Sequence, residues 1–202
     1  RGKNFIDEIN KNKNKSLEFG PGPNKKNHTN ITIDLIDFKS VDIVGDIFEV
    51  LSLIEDSSIE FIESYHFFEH IEDLQLLLSE CSRILKNNSM IKIVVPHFSN
   101  PYYYSDPTHK NYFGLYTFSY FAKNDLFKRK VPRYFKNNFD LKSVNLIFKT
   151  NKPKYLTYLF KKTFEKIFNI SSFTKEFYEE NICYIIPCYE VDYVLKNNKM
   201  VA

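Results

Sequence analysis

Residues Ser16 to Asn24, SLEFGPGPN, read as an apolar strand running into a glycine turn. A glycine turn at a strand end lets backbone approach a nucleotide-like ligand closely. A dinucleotide site needs more than this. It needs a third glycine, a helix whose N-terminus takes the pyrophosphate, and an acidic residue ~20 positions further on. Here Gly20 and Gly22 have no third partner, and PNKKNHTN (23–30) is a poor helix former. The first acidic strand end, Asp34, arrives early. A glycine turn with no helix behind it is a weak phosphate cradle, so the sequence points to a ligand of nucleoside type without phosphate.

Outward from this turn the pattern alternates. NITIDLID (30–37), VDIVGDI (41–47) and SIEFIESYHFF (58–68) read as three further strands. IEDLQLLLSECSRILKNN (71–88) carries Leu74, Leu77, Leu78, Cys81, Ile84 and Leu85 at helical spacing, and its polar KNNS end is a stop signal. MIKIVVPH (90–97) is apolar at nearly every position, as a strand covered on both faces is. FDLKSVNLIFK (139–149) reads as a strand, KYLTYLFKKTFEKIFN (154–169) as a helix, and ICYIIPCYEVDYVLKN (182–197) as one long or two short strands. Strands alternating with helices imply parallel pairing with right-handed crossovers. The expected fold is α/β: one domain over 1–202 with a Rossmann-like, mostly parallel sheet and helices on both faces. The first crossover is short and the C-terminal strand antiparallel. Residues 1–15 form an arm or frayed helix, and 97–135 an aromatic insert.

The 202 residues are enough for a real core, with 43% hydrophobic and 26% charged residues. Lys and Arg number 28 against 25 Asp and Glu, a net charge of +3, too mild to argue for nucleic acid. Three cysteines in no metal-binding spacing suggest reduced thiols, and no metal-ligand cluster is legible. No apolar run reaches the ~18 residues of a membrane span, and RGKNFIDEIN is too polar for a leader. A cytoplasmic protein is expected.

S-adenosylmethionine is a ligand of the kind the turn suits. It requires close backbone approach, a carboxylate for the ribose hydroxyls and an acid or amide near the adenine amino group. Glu18 to Gly22, then Asp34, then Asp46-Ile47 supply these in order at three successive strand ends. With LEFGPGPN, ITIDLID, VDIVGDI, SYHFFEHIEDLQLLLSECSRILKNN and IKIVVPH, the chain resembles the class I S-adenosylmethionine-dependent methyltransferases from Leu17 to Phe121. More narrowly it is similar to a compact subgroup with a short first crossover, often associated with bacterial surface-polysaccharide genes. The resemblance implies that Glu18, Gly20 and Gly22, with Phe19 and Pro21, meet the amino-acid end of the cofactor. It implies Asp34 at the ribose, Asp46 at the adenine amino group and Ile47 over the adenine, with Leu35 also among the cofactor-binding residues. Ser64, Tyr65 and His66 would line the methionine side. Pro21 and Pro23 crowd a turn where the family more often has a small residue.

Methyl transfer to a hydroxyl benefits from a base, and a histidine with an ordinary pKa of ~6.5 suits the task. In SDPTHKNYF (105–113) His109 is the expected base, with His97 of IVVPH as its substitute and Asp106 as the orienting carboxylate. Tyr102, Tyr103, Tyr104 and Tyr112 would wall off or stack on the acceptor, or else fill a cap over the sheet. SNPYYY (99–104) is similar to the motif with which amino-methyltransferases grip a nucleic-acid base. Here it follows the fifth strand rather than the fourth, and it reads as a loop. Glu69-His70 reads as a structural helix start. The expected activity is methylation of a small polar acceptor, a sugar hydroxyl or another surface-polysaccharide precursor, with a phosphorylated or nucleotide-linked form suiting the mild positive charge. The rival readings are methylation of an amine or nucleic-acid base, and a non-catalytic protein that binds the cofactor. The helix at 154–169 has basic and apolar faces like a membrane-surface helix, though packing against the sheet is its expected use.

Overall fold

The computed structural model describes residues 2–135, 138–150 and 155–199. In chain order it runs α1 (Lys3–Lys11), β1 (Lys15–Phe19), β2 (Ile31–Asp34), β3 (Ile43–Val44), α2 (Ile47–Ser52) and β4 (Ile59–Tyr65). It continues through α3 (Leu74–Ile84), β5 (Leu85–Pro96), β6 (Lys123–Asn124), β7 (Phe139–Ile147), α4 (Tyr155–Phe168), α5 (Ser172–Asn181) and β8 (Glu190–Asn197). The eight strands form one sheet in the order β3-β2-β1-β4-β5-β8-β7-β6. Neighbours run parallel except at β8, which lies antiparallel between β5 and β7. The mostly parallel sheet and the antiparallel last strand are as the sequence led us to expect. So is the short first crossover, since residues 20–30 hold no helix.

Register sorts the side chains. Leu17, Ile62, Ile91 and Leu195 lie opposite one another and are fully buried, as do Ile93 and Tyr193. On the other face Glu18 pairs with Glu63, and Glu63 with Lys92. There the irregular 20–30 loop stands where a crossover helix would. The Glu18 carboxylate accepts N–H bonds from Lys26 and Asn27, and the Asn30 side chain donates to Glu63. Lys26 and Lys92 place their ammonium groups 5.9 and 5.8 Å from the Tyr65 ring.

Three boundaries differ from the sequence reading. The third strand shrinks to two residues because Asp46 caps a helix, accepting from the N–H of Phe48 at 2.9 Å and of Glu49 at 3.3 Å. The amphipathic helix ends at Ile84 rather than Asn88, and β5 begins at the next residue. That junction works because the last helical carbonyls find partners outside the helix. Arg83 O and Ile84 O take the N–H groups of Ser57 and Ser58, and Ser82 O and Leu85 O take the Asn197 amide at 3.0 Å each. Finally, 182–189 holds no strand, leaving β8 as one strand. Before it, α5 is opened by a capping box between Ser171 and Thr174. Asn197 is fully buried and clasps the far end of the chain to the α3–β5 junction. Asn197→Ala orphans these carbonyls and is expected to destabilise by about 1–3 kcal/mol, read as a lower urea midpoint at unchanged m-value.

The N-terminal arm is helical, and Ile9 of α1 is fully buried. The insert forms a hydrophobic cap: Phe113, Leu115, Phe118, Ala122 and Phe127 join the core, and β6 adds to the sheet edge. The helix expected over 154–169 is α4, with Lys154 outside the described residues. Only its C-terminal part packs as expected, with Phe164 and Phe168 against the core beside β7. Phe168 is its one buried residue, whereas Leu156, Leu159 and Phe160 are exposed. Side-chain bonds tether it to the end of β7: Glu165 accepts from Phe148 N–H, and Asn169 bonds Leu146. All three cysteines are buried free thiols. Among the described residues no helix is long and apolar enough to cross a membrane.

Candidate active site

The carboxyl ends of β1 to β4 open into a cleft of about 590 Å³, where ligands bind in open α/β sheets. Gly20, with φ of 62°, and Gly22, with φ of 57°, form its first wall. A Cβ on Gly20 would lie 2.8 Å from Phe67 Cδ2, whereas one on Gly22 would meet nothing within 4 Å. The turn is locked to β2 through Asp34: Gly22 N–H donates to Oδ2 at 3.1 Å, and Ile36 N–H to Oδ1 at 3.0 Å. Asp46 and Ile47 follow at the start of α2.

Of the expected cofactor residues, Gly20, Gly22, Asp34, Leu35, Asp46, Ile47 and His66 line this cleft. The others stand elsewhere. The Glu18 carboxylate is turned into the 20–30 loop, and Phe19 and Pro21 are buried. Ser64 is buried beneath the tip of β4, and Tyr65 lies on the opposite face between Lys26 and Lys92.

His66 leaves β4 with φ of 55°. Its Nε2 is 3.0 Å from Glu190 Oε1 and its Nδ1 3.3 Å from Glu69 Oε1. Both carboxylates are buried, and Lys149 reaches Glu190 at 2.5 Å. Burial opposes a charge on the His66 ring, but the hydrogen bonds to Glu190 and Glu69 outweigh it and raise the pKa to about 9. Burial likewise opposes a charge on Glu190, and the bonds from His66 and Lys149 reverse it, holding that carboxyl below its ordinary value. Within this wall the shifts favour the charged His66–Glu190 pair at neutral pH.

The expected catalytic groups separate. His97 is fully buried and does not reach the cleft. Ser99 N–H donates to its Nδ1 at 3.1 Å, so its Nε2–H faces Glu179 at 3.2 Å. Both nitrogens are spent fastening the insert to α5, which leaves His97 unsuited to act as a base. His109 is nearly buried and stacks on Tyr103 with ring centres 4.5 Å apart. Its Nδ1–H donates to Tyr103 O at 2.8 Å. Asp106 is not the orienting partner at Nδ1. Its Oδ2 lies 3.7 Å from Nε2, while its Oδ1 accepts from the hydroxyl and N–H of Thr108. Those bonds hold its carboxyl below the usual range. Thr108 and His70, joined at 2.9 Å, line the cleft in front of His109.

None of the four tyrosines lines the cleft. Tyr103 is buried with its hydroxyl on Asn111 O, Tyr104 bonds Phe98 O, and Tyr102 and Tyr112 are exposed. Asn100 caps its own 3-10 turn and donates to Tyr189 O, a structural use. The sequence reading took Glu69 and His70 for a structural helix start and passed over Thr108. The one signal for the pair was the density of ionisable groups in HFFEH (66–70).

Residues 23–93 match the family described as Methyltransferase domain. No curated protein matches the chain. Solved structures are similar over nearly all of it. An S-adenosylmethionine-dependent methyltransferase from Archaeoglobus fulgidus is 18% identical over 96% of this chain and 90% of that one, with a TM-score of 0.55. Phosphoethanolamine N-methyltransferase 2 from Haemonchus contortus, solved with phosphomonomethylethanolamine and S-adenosylhomocysteine, is 16% identical with a TM-score of 0.56. There 98% of this chain covers 53% of the other, so this chain spans about half of that enzyme. The YcgJ protein of Bacillus subtilis is 14% identical over 96% and 97% of the two chains, with a TM-score of 0.53. Residues 23–93 thus match a methyltransferase-domain family, and the chain as a whole shares its fold with solved S-adenosylmethionine-dependent methyltransferases.

Proposed function

We propose that the protein transfers the methyl group of S-adenosylmethionine to a hydroxyl of a small polar acceptor. A sugar or another surface-polysaccharide precursor is the acceptor class that the sequence resemblance favours. The observation that carries this reading is the cleft itself. Gly20, Gly22, Asp34 and Asp46 stand on one side of it, and His66, His70 and Thr108 on the other. The positive φ at Gly20 and its contact with Phe67 keep that wall free of a side chain, as close backbone approach requires. Each Asp34 oxygen receives one backbone N–H and keeps acceptor capacity for a ribose hydroxyl.

When bound, S-adenosylmethionine supplies an electrophilic methyl on a sulfonium. The chain aligns the acceptor for in-line attack and excludes water, which provides much of the rate. The acceptor proton leaves toward His70 at the cleft rim and toward His109 and Glu69 behind it.

Calorimetric titration tests the first half of this reading. Asp34→Ala is expected to weaken S-adenosylmethionine binding by about 1–3 kcal/mol, a factor of roughly 5 to 150. Unchanged affinity would remove Asp34 from the site. A second reading, methylation of an amine, has support in the acceptor named for the Haemonchus structure. Mass spectrometry of products from sugar nucleotides, phosphorylated amines and oligonucleotides separates these cases.

A further inference from the structure

We propose that Glu69, His70 and His109 form a binding site for a divalent first-row transition-metal ion at the rim of the cleft. Their ligand atoms lie within 4.8 Å of one another. Bonds of ~2.0–2.2 Å draw such atoms together by about an ångström from that limit, within reach of side-chain torsions.

Both imidazoles are oriented from behind. His109 donates its Nδ1–H to Tyr103 O, which leaves the lone pair on Nε2. Thr108 has one hydroxyl proton, and it goes to Asp106 Oδ1 at 2.6 Å. At 2.9 Å His70 Nδ1 is therefore the donor to the Thr108 oxygen, and the His70 lone pair is also on Nε2. Such partners on the far nitrogen are what metal-ligating histidines have. Glu69 supplies the charge. It is fully buried, its Oε1 faces His66 at 3.3 Å, and its Oε2 has no hydrogen-bond partner. A buried carboxylate oxygen without a partner is costly, and a cation relieves it. The backbone fixes the arrangement, because Lys110 and Asn111 donate their N–H groups to Glu69 O at 2.7 and 3.3 Å. Two imidazoles and one carboxylate suit a transition ion better than magnesium or calcium, and three ligands leave a position open.

The role of the ion rests on the methyl-transfer reading. The open position lies beside Thr108 and takes the acceptor hydroxyl, lowering its pKa. The hydroxyl proton passes to water and an oxygen electron pair forms the bond to the methyl carbon. The pair of the broken carbon–sulfur bond stays on sulfur. With the ion bound, His109 serves as a ligand in place of a base, and the acidified hydroxyl gives its proton to water rather than to the side-chain cluster.

The test uses the whole protein stripped with a chelator and titrated with Zn²⁺ alone, without methyl donor or acceptor. Wild type is expected to bind one ion per chain at micromolar dissociation constant or tighter. Glu69→Gln, His70→Gln and His109→Gln should each weaken binding about 100-fold or more, and Thr108→Val about 10-fold, through loss of the His70 orientation. Co²⁺ loaded into wild type reports the ligand set by its visible spectrum, whatever the folding of the variants. Absent Zn²⁺ binding, binding equal in all variants, or a Co²⁺ spectrum without nitrogen ligation overturns the site. Turnover that persists in the metal-free protein removes the metal and keeps methyl transfer. Zn²⁺ binding without any S-adenosylmethionine binding does the reverse.

Discussion

His109→Ala is expected to slow turnover by ~10²–10⁴-fold, the usual worth of a group that handles the acceptor proton, while S-adenosylmethionine affinity stays within a few-fold. The separation follows from position. His109 stacks behind Thr108 and His70, away from the wall formed by Gly20, Asp34 and Asp46, so truncation spares the adenosyl contacts. The loss follows whether the ring acts as a free base or as a ligand. Single-turnover rates with paired calorimetry measure both quantities, and an unchanged rate would take His109 out of the chemistry. His97→Ala makes the control. It opens a buried hole and frees Glu179 and Ser99, so its effect belongs in the unfolding midpoint rather than in the chemical step.

The second large effect is expected at Gly20. An alanine at φ of 62° carries strain of about 1–2 kcal/mol, and its Cβ would sit 2.8 Å from Phe67 Cδ2 and 3.0 Å from Phe67 Cβ. Phe67 cannot retreat freely, because it packs between Phe19 and Phe68 at ring distances of 5.9 and 6.1 Å. Adding overpacking to strain, Gly20→Ala should destabilise by about 2–5 kcal/mol and weaken S-adenosylmethionine binding at least ~10-fold as the cleft floor shifts. Gly22→Ala pays only the torsional strain, since its Cβ meets open space. Denaturant unfolding of the two variants side by side decides the matter. Equal losses would show that Phe67 does not constrain the turn.

The wall built from Gly20, Gly22, Asp34 and Asp46 was legible because each residue lies at or just beyond the carboxyl end of a strand, and a parallel sheet gathers such ends at one edge without further information. The same logic made β1, β2, β4 and β7 readable. What escaped depends on partners distant in the chain. The α3–β5 junction needs Asn197 to take its carbonyls, so polarity at KNNS misplaced the boundary. His97 ends a strand as a ligand-binding residue would, yet Ser99 and Glu179 claim both its nitrogens. Glu69 and His70 looked like a helix start until the insert brought His109 beside them. Two short helices did leave signals: Asp46 three residues before Glu49, and Ser171 three before Thr174.

The position of β8 has a consequence for synthesis. Among the described strands, the last in chain order sits between two made earlier, with β5 on one side and β7 on the other. Until residues 190–197 emerge, β5 has an open edge and β7 has no route into the sheet. A nascent chain therefore waits with a sticky margin exposed, which is where a holding chaperone would be needed most.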